Sequence, residues 1–141
     1  VIVRLELKEA KDGFLKPRRL ADGRRYALHA LDLGGQGIRD LAWDGERLLI
    51  LTGATTALES LQTVVALPRL DPQREVFAAD ELETLVHLPP VRHHDHAEGI
   101  AVVRGPEGAK LIVTHDSPAP ARVASGETFL DGDVFDLPDA A

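Results

Sequence analysis

The sequence has no cysteine and no methionine, and its aromatics are one Trp, one Tyr and four Phe in 141 residues. Without cysteine there is no disulfide, no thiolate metal site and no thiol nucleophile. That absence fits cytoplasm or periplasm and does not choose between them. No apolar run approaches the roughly 20 residues that a membrane-spanning helix needs. Basic charge is also short: 16 Lys and Arg stand against 23 Asp and Glu, a net charge of −7. This balance disfavours nucleic acid and an anionic membrane as partners, because both are held by basic patches. The local exception is Arg18, Arg19, Arg24 and Arg25, readable as a solvated turn or as an anion site. No secretory leader is visible. The chain opens at Val1 in VIVRLELK, already a strand pattern, so a trimmed or partial chain is expected.

What is present is an ordinary apolar fraction of 44%, nearly all Val, Leu, Ile and Ala, enough for one domain with a core. Val1, Val3, Leu5 and Leu7 alternate with Arg4 and Glu6, the period-2 pattern of a half-buried strand. Residues 9–25 are polar, contain Gly13, Pro17 and Gly23, and read as a long turn. Residues 26–33 suit a strand. Residues 38–43 and 47–52 are apolar runs flanking Asp44-Gly45-Glu46, a hairpin signal. Further strands are expected over 63–67, 82–88, 99–103, 110–115 and 131–137. Helical turns are compatible with 54–61 and 78–85, but both segments are short for a stable helix.

Gly37-Ile38 recurs as Gly99-Ile100, and Leu49-Ile50-Leu51-Thr52 as Leu111-Ile112-Val113-Thr114, both 62 positions on and without a gap. Repeated antiparallel units suggest an all-β fold made of β-propeller blades, two to three in this chain, with units at about 26–81 and 82–137. A plain blade takes roughly 40–50 residues, so insertions are expected at 54–62 and 68–81. The runs at 48–51 and 111–113 suit strands buried on both faces. A propeller closes with about 4–8 blades. Either further chain or several copies would therefore complete it. The competing architecture is a small β-sandwich.

Gly34–Gly53 (GGQGIRDLAWDGERLLILTG), His96–Val103 (HAEGIAVV), Leu111–Pro118 (LIVTHDSP) and Asp133–Leu137 (DVFDL) resemble a bacterial family catalogued as domain of unknown function 3616. The resemblance runs from about Tyr26 onward, is most specific at residues 37–41 and at Glu98-Gly99, and matches the carboxy-terminal part of a longer member. The family has no assigned activity, so the resemblance implies fold more than function. More remotely, the pattern is similar to gluconolactonase and phytase-like propellers. In the gluconolactonase group a Glu in this setting binds a divalent metal in the central channel, which implies a metal role for Glu98 alone.

The unusual local composition is HHDHAEG at 93–99, where His93, His94, Asp95, His96 and Glu98 are all potential ligands. His115-Asp116 ends the strand that should pair with 99–103, so a hairpin would return it to the same end. His96, Glu98, His115 and Asp116 are the candidate metal ligands. Imidazole with carboxylate suits zinc, iron or manganese; carboxylates with carbonyls suit calcium. His96 and Glu98 share a face if the chain is extended. The bland alternatives are solvated histidines, a Glu98 bonded to backbone, and a capping turn at Asp116-Ser117-Pro118. Arg39 is a candidate anion-binding residue in a channel, or a brace to a neighbouring blade. Ser117 and Ser125 lack a nucleophile-elbow context. Gly34, Gly35 and Gly37 do not make GxGxxG, because position 40 is Asp. Two functions remain open: a binding or scaffold module taking a protein or small ligand, and a divalent-metal-dependent hydrolase of lactonase or phosphoesterase type.

Overall fold

A computed structural model describes residues 1–55, 61–89, 95–116, 120–123 and 131–139. The described residues form strands and two short 3-10 turns, Ala79–Glu81 and Pro120–Arg122, with no α-helix among them. In chain order the strands are β1 (Ile2–Arg4), β2 (Glu6–Glu9), β3 (Leu15–Arg18), β4 (Ala27–Leu31), β5 (Gly37–Trp43) and β6 (Leu48–Gly53), then β7 (Thr63–Leu67), β8 (Val76–Phe77), β9 (Glu83–His87), β10 (His96–Gly105), β11 (Gly108–Asp116) and β12 (Asp133–Asp136). The fold is all-β. A first sheet runs β1-β4-β8, a second β5-β6-β7-β9 and a third β10-β11-β12, while β2 and β3 form a separate hairpin. Every pairing is antiparallel except β4 with β8.

Several expectations are revised. The opening run is two strands, not one: β1 pairs with β4, and β2 pairs with β3. The long turn over 9–25 contains β3, whose four residues are all exposed. With no buried face it shows no alternation, and Pro17 is tolerated because the strand lies at an edge. The segment 78–85 is one 3-10 turn leading into β9 rather than a helix. β9 pairs with β7, so it is the fourth strand of the second sheet. Most of 54–61 lies outside the described residues.

The second sheet is covered on both sides, as the unbroken apolar run of β6 demands. Leu49 and Leu51, with Val64 and Ala66 of β7, pack on Ala97, Ile100, Leu111 and Val113 of the third sheet. Ile50, Val65 and Leu67 point the other way and pack with Phe77 of β8 and with Leu31 of β4. A side chain buried this fully is worth about 1.5–3 kcal/mol. β11 differs. Leu111 and Val113 are buried, but Ile112 is only half-buried and Thr114 is exposed. Among the described residues only one face of the third sheet is covered.

Both hairpins carry a β-bulge near the start of their first strand. In β5 the break falls between Ile38 and Asp40, at Arg39. In β10 it falls between Ala97 and Gly99, at Glu98. Superposing the bulges revises the gapless repeat. Asp40 then answers to Gly99 and Leu41 to Ile100, an offset of 59, while Ile50 answers to Val113, an offset of 63. The four-residue difference lies in the longer second hairpin. In this register Ile50 and Val113 both face back toward the preceding sheet, and Leu49 and Ile112 both face forward. The front of one sheet meets the back of the next. Such a heterologous stack closes into a ring or continues.

Candidate functional site

The first strands of the second and third sheets, β5 and β10, lie side by side. The sequence-derived ligands gather at the bulge end of that seam. A bulge leaves one residue out of the ladder and turns its side chain aside. At both sheets that residue is charged. Arg39 Nη1 donates to Glu98 Oε1 at 2.9 Å, with both side chains about a third exposed (34% and 35%). Arg39 Nη2 donates to the Ala54 carbonyl at 2.6 Å. Gly53 makes room for this path: a β-carbon there would sit 3.2 Å from Arg39 Nε and 3.1 Å from Gln62 Nε2. The next residue, Asp40, accepts the Ile100 N–H through Oδ2 at 2.8 Å. Arg39 and Asp40 thus both join the second sheet to the third.

The other candidate ligands divide by face. His96 and Asp116 are register partners at the end of the β10–β11 hairpin, both on its exposed side. His115 is opposite Ala97 and points inward, its side chain only 4% exposed. Its Nε2 lies 3.5 Å from Asp133 Oδ2, and its buried Nδ1 has no hydrogen-bond partner among the described residues. The hairpin does return His115 to the 95–98 segment. The bulge, however, breaks the rule that placed His96 and Glu98 on one face. Among the described residues no three His, Asp or Glu side chains are grouped as a metal cage would need. His93, His94, Ser117 and Ser125 lie outside the described residues.

Four charged or polar devices around this seam went unread in the sequence. Gln62 is buried and pairs with the β10 backbone like an extra strand. Its Nε2 donates to Ala97 O and its Oε1 accepts Ala97 N–H, both at 2.9 Å. Arg122 donates both Nη groups to Asp133 at 2.9 Å and Nε to Asp95 at 2.7 Å. Asp133 first, then Asp95, raise the guanidinium well above its ordinary pKa. This clamp holds the entry to β10, where Asp95 has φ 75°, against the start of β12. At the far, turn end of the seam, Asp44 Oδ1 accepts the N–H groups of Glu46 (2.8 Å) and Arg47 (2.6 Å), and Oδ2 accepts Arg47 Nε at 2.7 Å. Arg104 of the third sheet donates to the Asp44 carbonyl. Asp44 and Arg47 are 4% and 3% exposed. Burial raises the Asp44 pKa. The bonds from Arg47 N–H, Glu46 N–H and the Arg47 guanidinium outweigh it, and the carboxyl titrates below the ordinary range.

A signal for Gln62 does exist: a lone polar residue directly before the apolar run 63–67. Arg122 gave none, because its partners are distant in the chain.

The sequence model of the family described as "Protein of unknown function (DUF3616)" matches residues 1–131. The match reaches further toward the amino terminus than Tyr26 and stops short of the strand at 133–136. No curated protein and no solved structure matches the chain. The chain belongs to the DUF3616 family.

Proposed function

We propose that this DUF3616 member is a propeller-type binding or scaffold module without catalytic machinery of its own. Its ligand-facing groups would be those at the bulge end of β5 and β10. One observation carries the reading: four acids near that seam are held by arginines of the same chain. Glu98 meets Arg39, Asp95 and Asp133 meet Arg122, and Asp44 meets Arg47. A guanidinium at bonding distance competes directly with a divalent cation for the same carboxylate. The propeller part is supported by the same-sense stacking of the sheets and by the four-stranded antiparallel meander of the second one.

The second reading is a metal-dependent hydrolase. The buried Nδ1 of His115, without a hydrogen-bond partner among the described residues, favours it. Glu98 and Asp116, with His96 or His115, would hold a divalent ion such as calcium or zinc. That ion would polarise a carbonyl or phosphoryl oxygen and acidify a bound water. Elemental analysis of tag-free protein, wild type and Glu98→Ala, decides between the two. Background metal in both is the expected result. Stoichiometric metal that Glu98→Ala abolishes would replace the first reading with the second.

A further inference from the structure

Among the described residues the three stacked sheets leave two apolar faces uncovered. At one end is the front of the third sheet. Its cross-strand neighbours Ala101, Ile112 and Val134 share that face. In the bulge-anchored register Ala101 and Ile112 answer to Ala42 and Leu49, and Val134, paired with Ile112, answers to Ala66, paired with Leu49. In the second sheet Leu49 and Ala66 are fully buried and Ala42 packs beside them, because the third sheet covers them. In the third sheet Val134 is 62% exposed and Val103 is 49% exposed. At the opposite end is the back of the first sheet. Val1, Tyr26, Leu28, Ala30 and Val76 line an open trough of about 590 Å³ there. Val3, paired with Leu28, extends the same face. A contiguous apolar face of this kind marks an interaction surface.

We infer that these two faces are the halves of one interface, in which a second copy of this chain packs head to tail. The inference rests on the propeller-type reading above. The sheet-to-sheet contact within the chain is the template: front meets back, apolar positions meet apolar positions. The rims also complement each other. Lys110 and Asp136 flank Val134, and Arg24, Arg25 and Glu75 line the trough. Asp136 can meet Arg24 or Arg25, and Lys110 can meet Glu75, across the contact. A heterologous contact closes when the rotation allows it. Two copies supply six stacked sheets, within the roughly four to eight blades that close a propeller. The assembly expected is therefore a dimer with two identical contacts.

Sedimentation velocity over a micromolar concentration series tests this with tag-free protein. The wild type should be a dimer. Val134→Lys on the front face and Leu28→Lys on the back face should each be monomeric, with unchanged far-ultraviolet circular dichroism, since both side chains are exposed in the single chain. Mixed together, the two variants should recover a heterodimer, because one intact front then meets one intact back. A monomeric wild type, a dimeric single variant, or a mixture that stays monomeric would each overturn the inference. A monomer with background metal leaves the binding reading standing. A dimer with stoichiometric metal overturns that reading and keeps this one.

Discussion

The seam between the second and third sheets has an arginine–carboxylate pair at each end, and the two pairs differ in kind. At the turn end, Asp44 and Arg47 are 4% and 3% exposed, belong to one hairpin loop, and are tied to the third sheet through Arg104. At the bulge end, Arg39 and Glu98 come from different sheets and are 34% and 35% exposed. The first pair is part of the interior. The second is partly open to solvent. A buried pair gains little over an apolar replacement but is costly to break, whereas an exposed pair is worth little either way. The turn end fixes the fold; on the reading proposed above, the bulge end is where a ligand would be recognised at little cost to stability.

The largest expected effect is therefore at the turn end. Asp44→Ala removes the nearest carboxylate from the buried Arg47 guanidinium, leaving it the Pro138 carbonyl and Glu83 at 3.6 Å, and frees the N–H groups of Glu46 and Arg47. We expect a loss of about 3–5 kcal/mol in the free energy of unfolding, read from urea titrations. A loss below about 1 kcal/mol, the level of an exposed pair, would break the contrast between the two ends. The same carboxyl gives a pH signature. Its folded pKa lies below its ordinary value of 3.8, so the folded state holds fewer protons than the unfolded chain through the acidic range. Its contribution is complete above about pH 5 and is lost as pH falls through the folded pKa. The acid limb of stability should be shallower in Asp44→Asn than in the wild type.

Next comes Gln62. Its amide replaces a missing strand, making two bonds to Ala97 from a buried position. Gln62→Ala leaves the Ala97 N–H and C=O without those partners, in the interior. The expected cost is about 1–3 kcal/mol. Native-state hydrogen exchange gives the sharper readout: the Ala97 amide should lose protection while those of the β6 core keep theirs. Equal loss across both would make Gln62 a global rather than a local brace.

The elements that could be read from residues alone were those with a buried face. β5, β6, β7 and β11 alternate or run apolar because each packs on something. β3 packs on nothing and left no pattern, and the two-residue β8 was too short to leave one. The repeat misleads by composition: the structural offsets are 59 along the first strands, through a bulge common to both, and 63 along the second strands, and the gapless match at 62 is neither. LILT and LIVT then match by composition while facing opposite ways. At the site, the bulge segment was readable as a chemically loaded stretch. Its pairings were not, because Arg39 to Glu98 and Gln62 to Ala97 are contacts of the folded stack. Nothing in the local spacing of either residue encodes the other.

The smallest expected effect on stability belongs to Arg39 and Glu98, and it sharpens the comparison most. Each side chain loses rotamer freedom to hold one geometry, and water and salt screen the pair. A double-mutant cycle of Arg39→Ala and Glu98→Ala should give a coupling of about 0–1 kcal/mol, shrinking further at high ionic strength. The single variant Arg39→Ala also removes the bond to the Ala54 carbonyl, so its own cost should exceed the coupling. If the coupling instead reaches about 3 kcal/mol, the level expected of a buried pair, the two bulged residues are a structural lock. The bulge end would then hold the fold as firmly as the turn end does. A small coupling leaves Glu98 and Arg39 free to part at little cost, which a binding edge between two sheets requires.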